Sequence, residues 1–118
     1  MGTIKSFREL EIWKKGIELV KEIYKITDKF PDSEIYGLTS QLRRSAVSIP
    51  SNTAEGFKRR HSKEFKQFLN IALGSLAELE TQIVISKEIG YLKNKEEDKI
   101  FESIDHLTRM TVTLSKML

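Results

Sequence analysis

Apolar residues recur at alternating spacings of four and three through almost the whole chain, and this rhythm limits its fold more tightly than any other feature. Ile12, Gly16, Leu19, Ile23, Ile26 and Phe30 make the first row, which is one stripe of an α-helix. Leu10, Trp13, Ile17, Val20 and Tyr24 repeat it on the neighbouring face, about 100° round the axis. Two rows predict a helix that packs on two sides. Pro31, Asp32 and Ser33 then end the segment, because the residue before proline avoids helical angles and Asp or Ser caps the next start.

Three more segments follow the same period. Ile35, Leu38, Leu42, Ala46 (or Ser45), Ile49 and Thr53 line the second. Pro50 interrupts it, and a mid-helix proline removes a backbone bond at a cost of about 3 kcal/mol, so one kinked helix is expected. The third opens on Ser62 as N-cap, runs through Phe65, Phe68 or Leu69, Ala72, Leu76, Leu79 and Ile83, and stops at Gly90. Asn94 and Glu97 resemble a capping box ahead of Ile100, Ile104, Leu107, Thr111, Leu114 and Leu118. Gly16, Gly37 and Gly74 fall inside helical patterns, which marks them as places of close helix approach. No alternating strand pattern or hairpin dipeptide occurs. The expectation is an all-α, antiparallel up-down four-helix bundle kinked at Pro50, a single domain over 1–118, with helices near 7–30, 34–60, 62–89 and 95–117.

Composition removes several classes of function. The chain has no Cys, which excludes disulfides and thiolate zinc sites. Met1 to Glu11 lacks an apolar leader core, and no run approaches the roughly 18 apolar residues of a membrane span. It therefore reads as an unprocessed cytoplasmic protein with no membrane partner. A bundle di-iron centre needs a Glu-x-x-His on each of two helices, whereas His61 precedes Glu64 and the Glu102/His106 pair stands alone. No metal or cofactor is expected, and no nucleophile elbow or phosphate-cradling glycine pattern is present. The reading is not an enzyme; Glu55 and Glu78 are the carboxylates that any turnover would have to use.

Charge placement says more. Between Gln41 and Lys66 lie Arg43, Arg44, Lys58, Arg59, Arg60, Lys63 and Lys66 against Glu55 and Glu64, a local balance of +5, while the remainder of the chain sums to −2. These seven are the candidate nucleic-acid-binding residues, with Lys58, Arg59, Arg60 and His61 at the centre. A cluster at a helix end also offsets the macrodipole and solubilises a corner. With only Phe57 and Phe65 nearby, recognition of backbone or shape is expected over base stacking. Ser45, Ser48, Asn52, Glu55 and Arg59 form a polar stripe beside the apolar one. It is either a wet face, a groove lining or a polar subunit contact, and Glu78 and Gln82 are placed to meet it by hydrogen bonds.

The residues Leu10 to Gly16 (LEIWKKG), the stretch Tyr36 to Gly56 (YGLTSQLRRSAVSIPSNTAEG), Glu64-Phe65, and Glu78 to Gln82 (ELETQ) resemble the four-helix bundle proteins encoded in intervening sequences of bacterial 23S ribosomal RNA genes. The resemblance covers about Phe7 to Leu118. It implies an antiparallel bundle assembled into a ring, usually a homopentamer, with no known enzymatic activity. The family is also similar to the accessory variability protein of diversity-generating retroelements, a basic pentameric bundle that associates with a reverse transcriptase and nucleic acid. Arg43, Arg44, Ser48, Asn52, Glu55 and Gly56 match its recurring polar and glycine positions. The partners so implied are further copies of the chain and ribosomal RNA or another nucleic acid. The alternative is a scaffold whose patch docks an acidic or polymerase-like protein.

Overall fold

The computed structural model describes residues 3–118; Met1 and Gly2, where the reading of an absent leader begins, lie outside them. Four helices follow in order: α1 (Glu11–Thr27), α2 (Leu38–Lys58), α3 (Ser62–Glu88) and α4 (Asn94–Lys116), with short 3-10 turns at Phe7–Glu9 and Asp32–Glu34. The described residues contain no strand. α1 packs on α2 and α4, and α3 packs on the same two, in an elongated body of 46 × 24 × 19 Å. This is the expected all-α four-helix bundle.

The core is the set of rows read from the period. Leu19, Ile23, Leu42, Ile49, Leu69, Leu76, Leu79, Ile83, Ile100, Ile104 and Leu107 are almost wholly buried, each full burial stabilising by about 1.5–3 kcal/mol. Four hydroxyls inside this core bond back to carbonyls one turn earlier: Thr27 to Ile23 (2.7 Å), Thr53 to Ile49 (3.0 Å), Ser86 to Gln82 (2.8 Å) and Thr111 to Leu107 (2.8 Å). The helix thus satisfies its own small polar residues.

The outer row of α1 is divided. Leu10 is buried, Trp13, Ile17 and Val20 are half-buried, Trp13 and Val20 among them packing against the core, and Tyr24 is exposed. Leu10 belongs to the core because it precedes the first turn, where Phe7–Glu9 folds back onto α1 and Phe7 meets Trp13 at 5.4 Å. By length and composition alone α3 is long and apolar enough to cross a membrane, although it holds no uninterrupted apolar run of that length. Leu69, Ala72, Leu76, Leu79 and Ile83 face the other helices, whereas Ile71, Val84 and Ile85 on the opposite side are exposed.

Helix ends depart from expectation for local reasons. α1 stops at Thr27, and Phe30 leaves the helix but stays buried, its ring tilted against Tyr91 with centroids 5.2 Å apart. α2 begins at Leu38 because Gly37 breaks the backbone at φ −119°, ψ −119°. Glu34 reaches over Gly37 to accept the Leu38 N–H at 3.0 Å, and its other oxygen accepts the Tyr91 hydroxyl at 2.9 Å. One carboxylate therefore caps α2 and ties it to the α3–α4 connection. His61, not Ser62, is the N-cap residue of α3. At α4 only half of a box is made, one residue early: the Lys93 N–H donates to Glu96 Oε1 at 3.1 Å, and Lys93 has no side-chain acceptor to return it.

Pro50 lies inside the single helix α2, buried opposite Gly16, where an added Cβ would stand 3.2 Å from the proline Cβ. Gly56 is a tighter contact: its Cβ would fall 2.6 Å from Phe68 Cβ and 3.0 Å from Phe65 Cδ1. Gly74 has nothing within 4 Å, so its place is open surface and not the close approach its pattern suggested.

Gly74→Ala is expected to raise stability by about 1 kcal/mol through helix propensity alone, while Gly56→Ala lowers it by about 1–3 kcal/mol through overpacking. Denaturant midpoints of the two variants check both signs. The Glu34 carboxyl is held below the usual carboxylate range, first by the Leu38 N–H and then by the Tyr91 hydroxyl, and the Tyr91 hydroxyl is correspondingly raised by Glu34. A group harder to protonate when folded stabilises the fold above the ordinary carboxylate range and loses that contribution as pH falls through its lowered value. Wild type should therefore exceed Glu34→Gln in stability at neutral pH, and the gap should close in acid, as followed by circular dichroism.

Candidate nucleic-acid interface

The corner between α2 and α3 is built on aromatic packing. Phe57, in the last turn of α2, meets Phe65, in the first turns of α3, edge to face at 6.0 Å. The notch at Gly56 lets Phe68 close in beside them. Three residues, Arg59 to His61, complete the turn. The Arg59 and Arg60 N–H groups return to the carbonyls of Gly56 and Phe57, each at 3.2 Å. Arg60 then takes φ 60°. That left-handed backbone costs a side-chain-bearing residue about 1–2 kcal/mol and is the ordinary place for glycine.

The charges at this corner are free to meet a ligand. Lys58, Arg59, Arg60, His61, Lys63 and Lys66 are all exposed. Arg59 pairs with Glu55 at 3.5 Å and covers the Phe68 ring at 5.1 Å. No carboxylate among the described residues lies within ion-pair distance of Lys58, Arg60, Lys63 or Lys66. α3 also starts here without a side-chain cap. Its unpaired N–H groups add the positive end of a helix dipole to the same surface. A cavity of about 240 Å³ opens between Arg60, His61, Ser62, Phe57, Phe65, Ile4 and Leu118. The arrangement favours an anion with several oxygens, such as a phosphate.

Arg43 and Arg44 stand elsewhere. About 14 residues up α2, they are roughly 21 Å along the axis from Lys58. Arg43 Nε donates to Thr27 Oγ1 at 2.9 Å, its Nη2 lies 3.6 Å from Asp28 Oδ1, and its guanidinium sits 4.5 Å over the Tyr24 ring. It fastens α2 to the end of α1, so the sequence grouping of Arg43 with the corner is not a spatial one. Arg44 is exposed and lines a separate cavity.

The polar stripe of α2 is a seam against α3 at Ser45 and Ser48 and an exposed face at Glu55 and Arg59. Ser45 Oγ donates to Gln82 Oε1 at 3.0 Å with both residues buried. Ser48 and Ser75 hydroxyls are bonded at 2.9 Å, and Asn52 Nδ2 donates to the Ser48 carbonyl and hydroxyl at 2.8 and 2.9 Å. Glu55 continues the row into Arg59. Gln82 meets the stripe as expected, while Glu78 bonds to none of it and lines the cavity with Gln41, Arg44, Ser45, Ser48 and Gln82. Ser75 was missed by sequence reasoning. Its signal was the spacing of seven from Gln82, two turns along the same face.

His106 and Glu102 face Glu18 and Glu22 of α1 across a cavity of about 300 Å³. No three of the described His or carboxylate groups come together in a metal-binding arrangement. Glu22 Oε1 accepts the Ser103 hydroxyl at 3.0 Å.

Comparison with known proteins gives a coherent result. The model of a family described as 23S rRNA-intervening sequence protein matches residues 8–113. No curated protein matches the chain. Among solved structures, the chain is similar to a protein with unknown function from the S23 ribosomal protein family of Bacteroides thetaiotaomicron. The two are 20% identical with a TM-score of 0.81, over 89% of this chain and 95% of that one. At that identity the likeness speaks for the fold.

Proposed function

The chain belongs to the 23S rRNA-intervening sequence protein family, and from that premise we propose that it is a non-enzymatic, ring-forming protein that holds RNA by its phosphates at the α2–α3 corner. Lys58, Arg59, Arg60, Lys63 and Lys66 make the contacts, helped by the open end of α3. The observation that carries this reading is Arg60 at φ 60°. Glycine would relieve the backbone there, so the cost of an arginine is best explained by what its side chain does. Phe57 and Phe65 are buried and Phe68 lies under Arg59, which leaves no open aromatic face for bases at this corner. Recognition of backbone and shape follows. Repetition of the corner round a ring, a pentamer by family resemblance, multiplies weak contacts by effective concentration.

Fluorescence anisotropy with a labelled ribosomal RNA hairpin, at two salt concentrations, tests the corner. Wild type should bind with a steep salt dependence. Arg60→Gly should be as stable or about 1 kcal/mol more stable, yet bind less tightly and with a salt slope smaller by about 1. The triple change of Lys58, Arg59 and Arg60 to Ala should weaken binding further and flatten its salt dependence. Equal affinity of wild type and Arg60→Gly would defeat the assignment. Absence of binding at low salt would favour an acidic or polymerase-like protein as the corner's partner. The ring has its own test, since Ile17 is only half-buried on the outer row of α1 and packs on no core residue. Ile17→Glu should lower the mass seen by light scattering to that of one chain with helicity unchanged, whereas a monomeric wild type would rule the ring out.

A further inference from the structure

The cavity between α2 and α3 at the far end of the seam has a volume of about 370 Å³, and its walls form a specific pattern of donors and acceptors. At its floor Gln82 and Ser45 keep only 6% and 3% of their surface exposed. Gln82 Oε1 is occupied by the Ser45 hydroxyl. Its Nε2 has no hydrogen-bond partner among the described residues, and it is not one of the two sealed orphan atoms, Glu22 Oε2 and Thr39 Oγ1. That amide therefore offers its N–H groups to the cavity.

Glu78 lies one turn before Gln82 on the same face of α3, about 5–6 Å away at Cβ, and lines the cavity with no ion pair of its own among the described residues. Arg44 enters from α2 opposite. Walls of one carboxylate and one guanidinium disfavour a bare anion, which would meet the Glu78 charge. They suit a neutral, planar group with two adjacent N–H donors beside an oxygen acceptor.

We propose that this cavity receives an unpaired guanine base. Among the four bases, guanine alone presents N1–H and N2–H side by side, a match for both oxygens of Glu78, with O6 next to them for the Gln82 amide. Adenine and cytosine put a ring lone pair against the carboxylate, and uracil flanks its single N–H with two oxygens. The Arg44 guanidinium supplies a plane for stacking where no aromatic ring is present. The inference rests on the RNA reading above for delivery of the base, since the seam of Ser48 and Asn52 leads from this cavity towards Arg59.

The test compares two labelled single-stranded oligouridines of equal length, one with a central guanine and one with a central adenine, by anisotropy. Wild type should prefer guanine by about tenfold. Glu78→Gln, a change at an exposed position, should erase that preference with its circular dichroism unaltered, and Arg44→Ala should reduce it. The triple change of Lys58, Arg59 and Arg60 to Ala should weaken both oligonucleotides together and leave their ratio. Equal wild-type affinities would overturn the pocket and spare the corner. Should neither oligonucleotide bind, the corner reading fails, and titration with guanosine and adenosine monophosphates, followed by the Gln82 side-chain amide signals in NMR, decides the pocket alone. Movement with the guanosine nucleotide only would sustain it; no movement would overturn it.

Discussion

Helices α2 and α3 can lie as close as they do because Gly56 has no side chain where Phe68 comes in. From that contact follow the edge-to-face pair of Phe57 and Phe65, the three-residue turn, and the left-handed backbone that Arg60 must adopt to complete it. The same closeness brings Ser45 to Gln82 and Ser48 to Ser75 along the seam. A methyl group at position 56 would thus disturb the cationic corner and the polar seam together.

The α1 side is held by separate devices. Gly16 accommodates the Pro50 ring, so the residue that weakens α2 internally is also where α1 seats against it. Arg43 grips Thr27, Asp28 and the Tyr24 face at one end, and Glu34 links the start of α2 to Tyr91. Between α1 and α4 the packing is more open, with an apolar groove of about 530 Å³ near Leu10, Ile12, Met110 and Leu114. Charge at the α2–α3 corner is consequently carried on a closely packed pair of helices.

Legibility in the sequence followed the range of the interaction. The buried rows and the match of Gln82 with Ser45 were readable because helical period sets which residues share a face. Glycines were not, because a missing side chain in a periodic pattern looks the same at an open surface (Gly74), at a helix start (Gly37) and under a proline ring (Gly16). The seven basic residues seemed one patch in a linear count, whereas Arg43 turned to α1. Caps moved by one residue at α3 and α4, since the choice among neighbouring cap residues depends on how the connecting turn enters the helix.

By itself the sequence determined four helices, their inward faces and the excess of positive charge around the second and third, because these depend on spacings of three and four and on simple sums of charge. Only the tertiary structure decided that Arg60 bears the left-handed backbone, that Arg43 is a fastener, and that Glu78, Gln82 and Arg44 share a cavity. The physical reason is distance. Each of those facts depends on how closely two helices approach, and that is set by side chains far apart in the chain.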